Sequence, residues 1–245
     1  MRNDGSLPCR FRANRLPWML LVMGLVVIAT PVAADPIVVP TSLNPGDQYR
    51  LAFVTSTTGV ATSTDIADYN SFVTAAANLE PLLVALGTSW NVIGGTLTVS
   101  ARTNTATDPT PPGDTGVPIY LVNDTKLVDH YDDLWDGNID IPFNINENAD
   151  AVTSFVFTGS SWPGTIAVHR PLGFNGSEGT SWIGQTSFPT IKWMIGGTES
   201  DTTRALPFYA ISGVLIVPEP GSLVLTSIGA VGLIGFGRRR RKRSA

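Results

Sequence analysis

The chain has little cysteine, little histidine and little charge. Its single cysteine, Cys9, excludes an intramolecular disulfide and a zinc site built from several cysteines. Charged residues make up 15% of the 245 residues, against about 25% in an ordinary soluble domain. This composition, with 24 Gly and 18 Pro, excludes a long helical bundle or coiled coil. A disordered polyelectrolyte is excluded as well, because a hydrophobic content of 43% is enough to fill a core.

Basic residues are nearly confined to the two ends of the chain. Four arginines precede the first apolar run and six Lys or Arg form the tail 238–243, which leaves six basic and 18 acidic residues between 35 and 217. This central region therefore carries a net charge of −12. Because such a surface repels phosphates, nucleic-acid binding is not expected.

The N-terminal segment has the three parts of an export signal. A basic leader precedes 13 apolar residues, 18–30, and small residues follow up to Ala34. Thirteen residues are too few to cross a bilayer, which takes about 20, so we predict a signal helix rather than an anchor. Cleavage between Ala34 and Asp35 would remove residues 1–34 as a signal peptide, and the Sec export machinery would be its partner.

The C-terminal segment repeats this arrangement in reverse order. Pro218, Glu219 and Pro220 precede an uncharged stretch, 221–237, and a basic tail follows that contains Arg238, Arg239, Arg240 and Arg241. A helix of 17 residues is about 25 Å long, which is at the lower limit for crossing a bilayer. Since clustered cations stay on the cytoplasmic side, we predict a transmembrane helix over 221–237 in the inner membrane.

These three parts, in this order, resemble the PEP-CTERM sorting signal of Gram-negative bacteria, and the resemblance covers residues 218–245. It implies recognition by an exosortase and cleavage near Pro218, Glu219 and Pro220. Such proteins are typically associated with exopolysaccharide, biofilm matrix or the cell surface. The protein would be exported through the inner membrane, anchored by its C-terminus, and then placed at the cell surface or outside the cell. A C-terminal anchor that is never cut is the alternative.

The hydrophobic pattern between residues 35 and 217 predicts one α+β domain. Alternation at 49–55 predicts a half-buried strand, helical spacing at 66–76 predicts a helix, and Pro81 opens a second short helix. We expect mainly short antiparallel strands with one helical region near the start. Further strands are predicted at 90–93, 97–101, 117–122, 125–128, 155–158, 166–168, 192–195 and 206–217.

This order of elements resembles C-type-lectin-like and endostatin-like domains, in which the first and last strands pair. Residues 49–55 and 206–217 would be those two strands. Short motifs at 116–121, 133–137 and 157–159 add to the resemblance. The chain lacks the disulfides that many such domains use, and a β-sandwich is the competing architecture.

Acidic residues are concentrated between 124 and 150, where eight of them are opposed only by Lys126. Calcium takes six to eight oxygen ligands, and one turn-rich stretch offers several carboxylates. The spacing does not match an EF-hand loop. A solvated acidic surface is the alternative to a calcium site. The candidate calcium ligands are Asp132, Asp133, Asp136 and Asp140.

Aromatic residues lie beside these acids. Aromatic rings next to carboxylates and amides hold sugars in many proteins, because the ring stacks on the apolar face of the sugar and the polar groups bind its hydroxyls. Tyr131 and Trp135 are therefore the candidate ligand-binding residues, and Trp162, Trp182 and Trp193 follow further along the chain. Burial in the core is the alternative for these rings.

No catalytic motif stands out in the sequence. His130 and His169 have no metal-ligand partner motif, and residues 179–184 miss G-x-S-x-G by one position. A glycosidase needs only two carboxylates, a requirement that 18 acids meet too easily to support it. We therefore predict a non-catalytic structural or binding domain associated with exopolysaccharide. A secreted glycosidase-like enzyme that uses acids of the 124–150 region is the alternative.

Overall fold

The computed structural model describes residues 38–108, 116–174 and 180–219. These ranges contain nine strands and five short helices. In chain order the elements are β1 (Gln48–Val54), α1 (Ile66–Ala77), α2 (Pro81–Ala85), β2 (Trp90–Val92), α3 (Ala101–Thr105), β3 (Ile119–Leu121), β4 (Lys126–Val128), α4 (Tyr131–Leu134), β5 (Phe155–Phe157), β6 (Ser181–Gln185), α5 (Lys192–Ile195), β7 (Gly197–Glu199), β8 (Tyr209–Ser212) and β9 (Leu215–Ile216).

The larger sheet is built around β1. Its strand order is β2-β8-β1-β3-β4, and β9 pairs with the beginning of β1. β1 runs antiparallel to β8, with Phe53 opposite Ala210, which confirms the predicted pairing of the first and last strands. Six of the seven β1 residues are buried, so the prediction of a half-buried strand is wrong. A central strand is covered on both faces, and Arg50 is therefore buried along with its apolar neighbours.

The smaller sheet has the antiparallel order β5-β6-β7. A single bridge between Phe157 and Phe208 joins β5 to the chain just before β8, and the hydrophobic cluster of buried residues includes members of both sheets. Most strand pairs are antiparallel, as predicted, but β1 and β3 are parallel. Mixed sheets with short helices fit the predicted α+β class, and the parallel pair distinguishes the larger sheet from that of an antiparallel β-sandwich. The resemblance to C-type-lectin-like domains stays a prediction.

The two helices near the start form where the sequence predicts them. The Asp65 carboxylate accepts the N–H of Ala67 and caps α1, and the Glu80 carboxylate caps α2, whose first residue is Pro81. α1 buries Tyr69, Val73, Ala76 and Ala77 and packs on β2.

Helices also occur where the sequence predicts none. Residues 192–195 form α5 instead of a strand, and residues 97–101 lead into α3. Both segments are so short that the spacing of their apolar residues does not distinguish a helix from a strand. Residues 166–168 contribute one bridge only, and β6 and β7 are strands that the hydrophobic pattern does not predict.

Within the described ranges, no helix is both long enough and apolar enough to span a membrane. The predicted signal helix and the predicted transmembrane helix over 221–237 lie outside those ranges.

Two buried tyrosines differ in their hydrogen bonding, and this difference gives the first testable prediction. Tyr209 is stacked on Phe143 with the ring centroids 4.3 Å apart, and its hydroxyl has no hydrogen-bond partner among the described residues. Burial raises the pKa of Tyr209. The hydroxyl of Tyr69 instead donates to the carbonyl of Ser63 at 2.7 Å.

Tyr209→Phe is therefore expected to keep or increase the free energy of unfolding, because it removes a buried polar group that gains nothing in the fold. The matched control, Tyr69→Phe, is expected to lose about 1 kcal/mol with its hydrogen bond. Urea denaturation of the purified variants measures both. Equal losses in the two variants would contradict the prediction.

Candidate functional site

The described part of the fold extends to the start of the predicted sorting signal. β9 pairs antiparallel with the start of β1. Val217 follows β9 and is still part of the fold, since its N–H donates to the carbonyl of Asp47 at 2.9 Å and its carbonyl accepts the N–H of Gly46 at 3.0 Å. The side chain of Val217 is buried. The chain is thus held by backbone hydrogen bonds up to the residue before the Pro-Glu-Pro motif.

Pro218 and Glu219 are both exposed. They directly follow Val217, whose backbone is hydrogen-bonded to the residues just before β1, so the first part of the motif is exposed next to the folded domain. The other residues of the predicted sorting and cleavage sites lie outside the described ranges, namely Pro220, Arg238, Arg239, Arg240, Arg241, Ala34 and Asp35.

The acidic region forms a compact group of carboxylates. Asp129, Asp133 and Asp140 each place one oxygen so that the three atoms lie within 4.8 Å of one another. The N–H of Asp129 donates to the Asp133 carboxylate at 3.0 Å, which holds the end of β4 to α4. Two of the four predicted calcium ligands, Asp133 and Asp140, are therefore brought together with Asp129. Asp132 and Asp136 are not members of this group.

The electrostatics of this group follow from its charges. Lys126 forms an ion pair with Asp129, which raises the pKa of Lys126. Partial burial first, and then the neighbouring Asp133 and Asp129, raise the pKa of Asp140. A raised folded-state pKa means that the contribution of Asp140 to stability is present at acid pH and is lost as the pH rises through that pKa. Oxygen donors of this kind suit a hard cation, and the calcium site stays a prediction.

Tyr131 and Trp135 are core residues rather than a ligand platform. Trp135 is 1% exposed, its indole N–H donates to the Thr107 hydroxyl at 2.9 Å, and its ring lies 6.1 Å from that of Trp193. Tyr131 is buried against the Arg50 guanidinium, which lies 5.1 Å from the ring centroid. Because both rings are buried, a sugar cannot stack on either of them. Both residues belong to the core, which is the alternative given for these rings above.

A different tryptophan is open to solvent. Trp162 is 40% exposed and lines a shallow depression of about 250 Å³. A Cβ on Gly137 would lie 3.3 Å from the Trp162 ring, so the backbone of Gly137 approaches the indole closely. The other lining residues are Asp136, Asn138, Thr190 and Ile191.

The segments around this depression are tied to the fold. Gly164 donates its N–H to the carbonyl of Ser161 at 2.9 Å and closes the turn that carries Trp162. Arg102 of α3 holds this turn through its backbone N–H to the Gly164 carbonyl at 3.1 Å and its guanidinium to the Pro163 carbonyl. On the opposite side of the depression, one loop carries Asn138 and another carries Thr190. A hydrogen bond of 2.7 Å from the Ile139 N–H to the Pro189 carbonyl joins these two loops.

The sequence carries a local signal for the exposure of Trp162. Ser161, Pro163 and Gly164 are turn-forming residues on either side of it, and a turn displays its central side chains at the surface. Proximity in sequence to the acidic residues indicates Trp135 instead.

The matches to known proteins concern the C-terminus. The family model of the PEP-CTERM protein-sorting motif matches residues 217–242. This confirms the sorting signal predicted from the sequence, and it marks an exported protein that an exosortase sorts. No curated protein matches the chain.

Proposed function

We propose that this protein is exported, held by its C-terminus and processed by an exosortase, and that its folded domain is a non-catalytic structural or binding module associated with exopolysaccharide at the cell surface or in the matrix. The match to the sorting motif supports the first part. The open, shallow depression beside Trp162 supports the second part, because binding modules contact long polymers on open surfaces.

One observation supports cleavage at the sorting motif without damage to the folded domain. The backbone is hydrogen-bonded up to Val217, and Pro218 and Glu219 are exposed immediately afterwards. A processing enzyme that acts at this motif would therefore release a domain whose last strand is complete. No strand of the described fold would be lost by the cut.

Glu219→Gln tests the sorting step. The change keeps the size of the side chain and removes its charge, and we expect it to abolish the conversion of the precursor to the mature size in a host that has an exosortase. Immunoblots against the folded domain in membrane and culture fractions measure this conversion. The matched control is Asp132→Asn, which neutralises an exposed carboxylate outside the motif and should be processed normally. Normal processing of Glu219→Gln would contradict the prediction, because it would show that cleavage does not require the charge of Glu219.

A glycosidase-like enzyme is the second candidate function. The observation that favours it is the raised pKa of Asp140 beside two further carboxylates, since a general acid needs such a shift. Asp129 and Asp140 are exposed, however, whereas a catalytic acid is held in an enclosed site. Release of reducing sugar from any polysaccharide by the purified protein, lost in Asp133→Asn, would favour the enzyme over the binding module.

A further inference from the structure

The depression beside Trp162 combines an apolar surface with unused polar groups. Part of the Trp162 indole and of the Ile191 side chain is open to solvent. One carboxylate oxygen of Asp136 accepts the N–H of Asn138 at 2.8 Å. Within the described part of the chain, no hydrogen bond engages the side-chain amide of Asn138 or the hydroxyl of Thr190. These polar groups are thus available to a ligand that rests on the ring.

The three segments around the depression are held before any ligand arrives. Arg102 holds the turn of Trp162, and the contact between Ile139 and Pro189 holds the other two loops together. A ligand therefore does not have to order these loops, which removes one of the main entropic costs of binding.

We propose that this depression binds a neutral hexopyranose unit of a polysaccharide, an inference that rests on the proposed function of the domain as a binding module. The apolar C–H face of a sugar ring would cover the open part of Trp162. Its hydroxyls would donate to Asp136 and exchange hydrogen bonds with Asn138 and Thr190. Both halves of an amphipathic sugar are matched in this way, whereas a purely apolar ligand would leave the three polar groups desolvated and unpaired.

The size of the depression selects one ring of a longer chain. Its volume of about 250 Å³ lies below the roughly 300–1,000 Å³ of pockets that enclose drug-sized ligands. The site is open to solvent, so a bound ring can belong to a longer polymer.

Charge selects a neutral sugar over an acidic one. Asp136 lines the site, and the region 35–217 carries a net charge of −12. A uronate, sulfate or phosphate group on the ligand would be repelled by this field. The ligand class is therefore a neutral hexose polymer.

The experiment measures binding of four hexasaccharides to the full-length chain, purified in a detergent without a sugar headgroup. Three probes are neutral (cellohexaose, maltohexaose and laminarihexaose), and hexagalacturonate is the acidic probe of equal length. Saturation-transfer NMR and surface plasmon resonance report the affinities. We expect at least one neutral probe to bind, hexagalacturonate to bind more weakly than that probe, and Trp162→Ala to weaken the neutral probe about tenfold or more.

The matched control is Phe155→Ala, because Phe155 is 41% exposed and lies on β5, outside the depression. This variant should bind as the unaltered protein does. Melting curves should show that both variants are folded at the temperature of the binding measurement, so that lost binding is not lost folding.

Three results would overturn the proposal: no binding of any neutral probe, unchanged binding by Trp162→Ala, or binding that EDTA abolishes. The second result would leave the domain a binding module that uses another surface. The processing of Glu219→Gln is measured separately, so failure at this site is distinguishable from failure of the proposed sorting.

Discussion

Gly184→Ala is expected to lower the free energy of unfolding by about 3 kcal/mol or more, because the added methyl group has no space. A Cβ at this position would lie 1.7 Å from the carbonyl oxygen of Trp193 and 2.7 Å from its carbonyl carbon. These are backbone atoms, so no side-chain rotation relieves the contact. β6 and α5 would have to separate.

Separation is costly because both elements are fixed on their other sides. Gly184 pairs with Val156 in the middle of the smaller sheet. Trp193 is fully buried and lies near three aromatic rings, those of Trp135, Phe143 and Tyr209. Moving α5 away from β6 would therefore open the aromatic core.

Gly197→Ala is the matched control. Gly197 lies on the neighbouring strand β7, and a Cβ there would meet the Ile183 side chain at 3.6 Å, an ordinary van der Waals distance. This change is expected to alter the free energy of unfolding by no more than about 0.5 kcal/mol. Urea midpoints of the two variants test the difference. Equal midpoints would mean that α5 does not pack on β6 as described.

The parts of the fold that the sequence predicts are those with a strong local pattern. β1 has alternating large apolar residues, α1 has helical spacing, and α2 begins at a proline. The pairing of β1 with β8 was predicted from a resemblance in the order of elements rather than from either strand alone. The parallel neighbour, β3, could not be predicted, since strand direction is set by connections far along the chain.

The missed elements depend on tertiary contacts. The segment 192–195 is predicted as a strand from its apolar residues. It forms a helical turn in which Trp193 and Met194 are buried. β7 has the sequence Gly-Thr-Glu, which has no hydrophobic period, and it is a strand because β6 lies beside it.

The candidate sites divide in the same way. The sorting signal is a linear motif, so the sequence alone identifies it. The acidic group is not linear, because Asp140 joins Asp129 and Asp133 only after β4 and α4 have turned the chain. The exposure of Trp162 has a local signal in the turn-forming residues around it, but proximity in sequence to the acids indicates the buried Trp135 instead.

Trp135→Ala is expected to destabilise the domain by about 3–5 kcal/mol, the usual loss for truncating a fully buried tryptophan. The change removes a ring that packs near Trp193. The Arg102 guanidinium lies over the same ring, 5.8 Å from its centroid. It also removes the hydrogen bond to Thr107. Trp162 is 40% exposed, so Trp162→Ala removes less buried surface and is expected to lower the free energy of unfolding by about 1–2 kcal/mol.

The two tryptophan variants together separate a core role from a ligand role. A Cβ on Gly164 would lie 2.6 Å from the Trp135 ring, so Trp135 packs directly against the turn that carries Trp162. Trp135→Ala should therefore lower the urea midpoint, and any loss of sugar binding should accompany this loss of stability. Trp162→Ala should lose binding in buffer without urea, where the domain is still folded, and its midpoint should fall less than that of Trp135→Ala. The reverse pattern, in which Trp135→Ala keeps its midpoint and loses binding, would return the ligand role to Trp135 and contradict its burial.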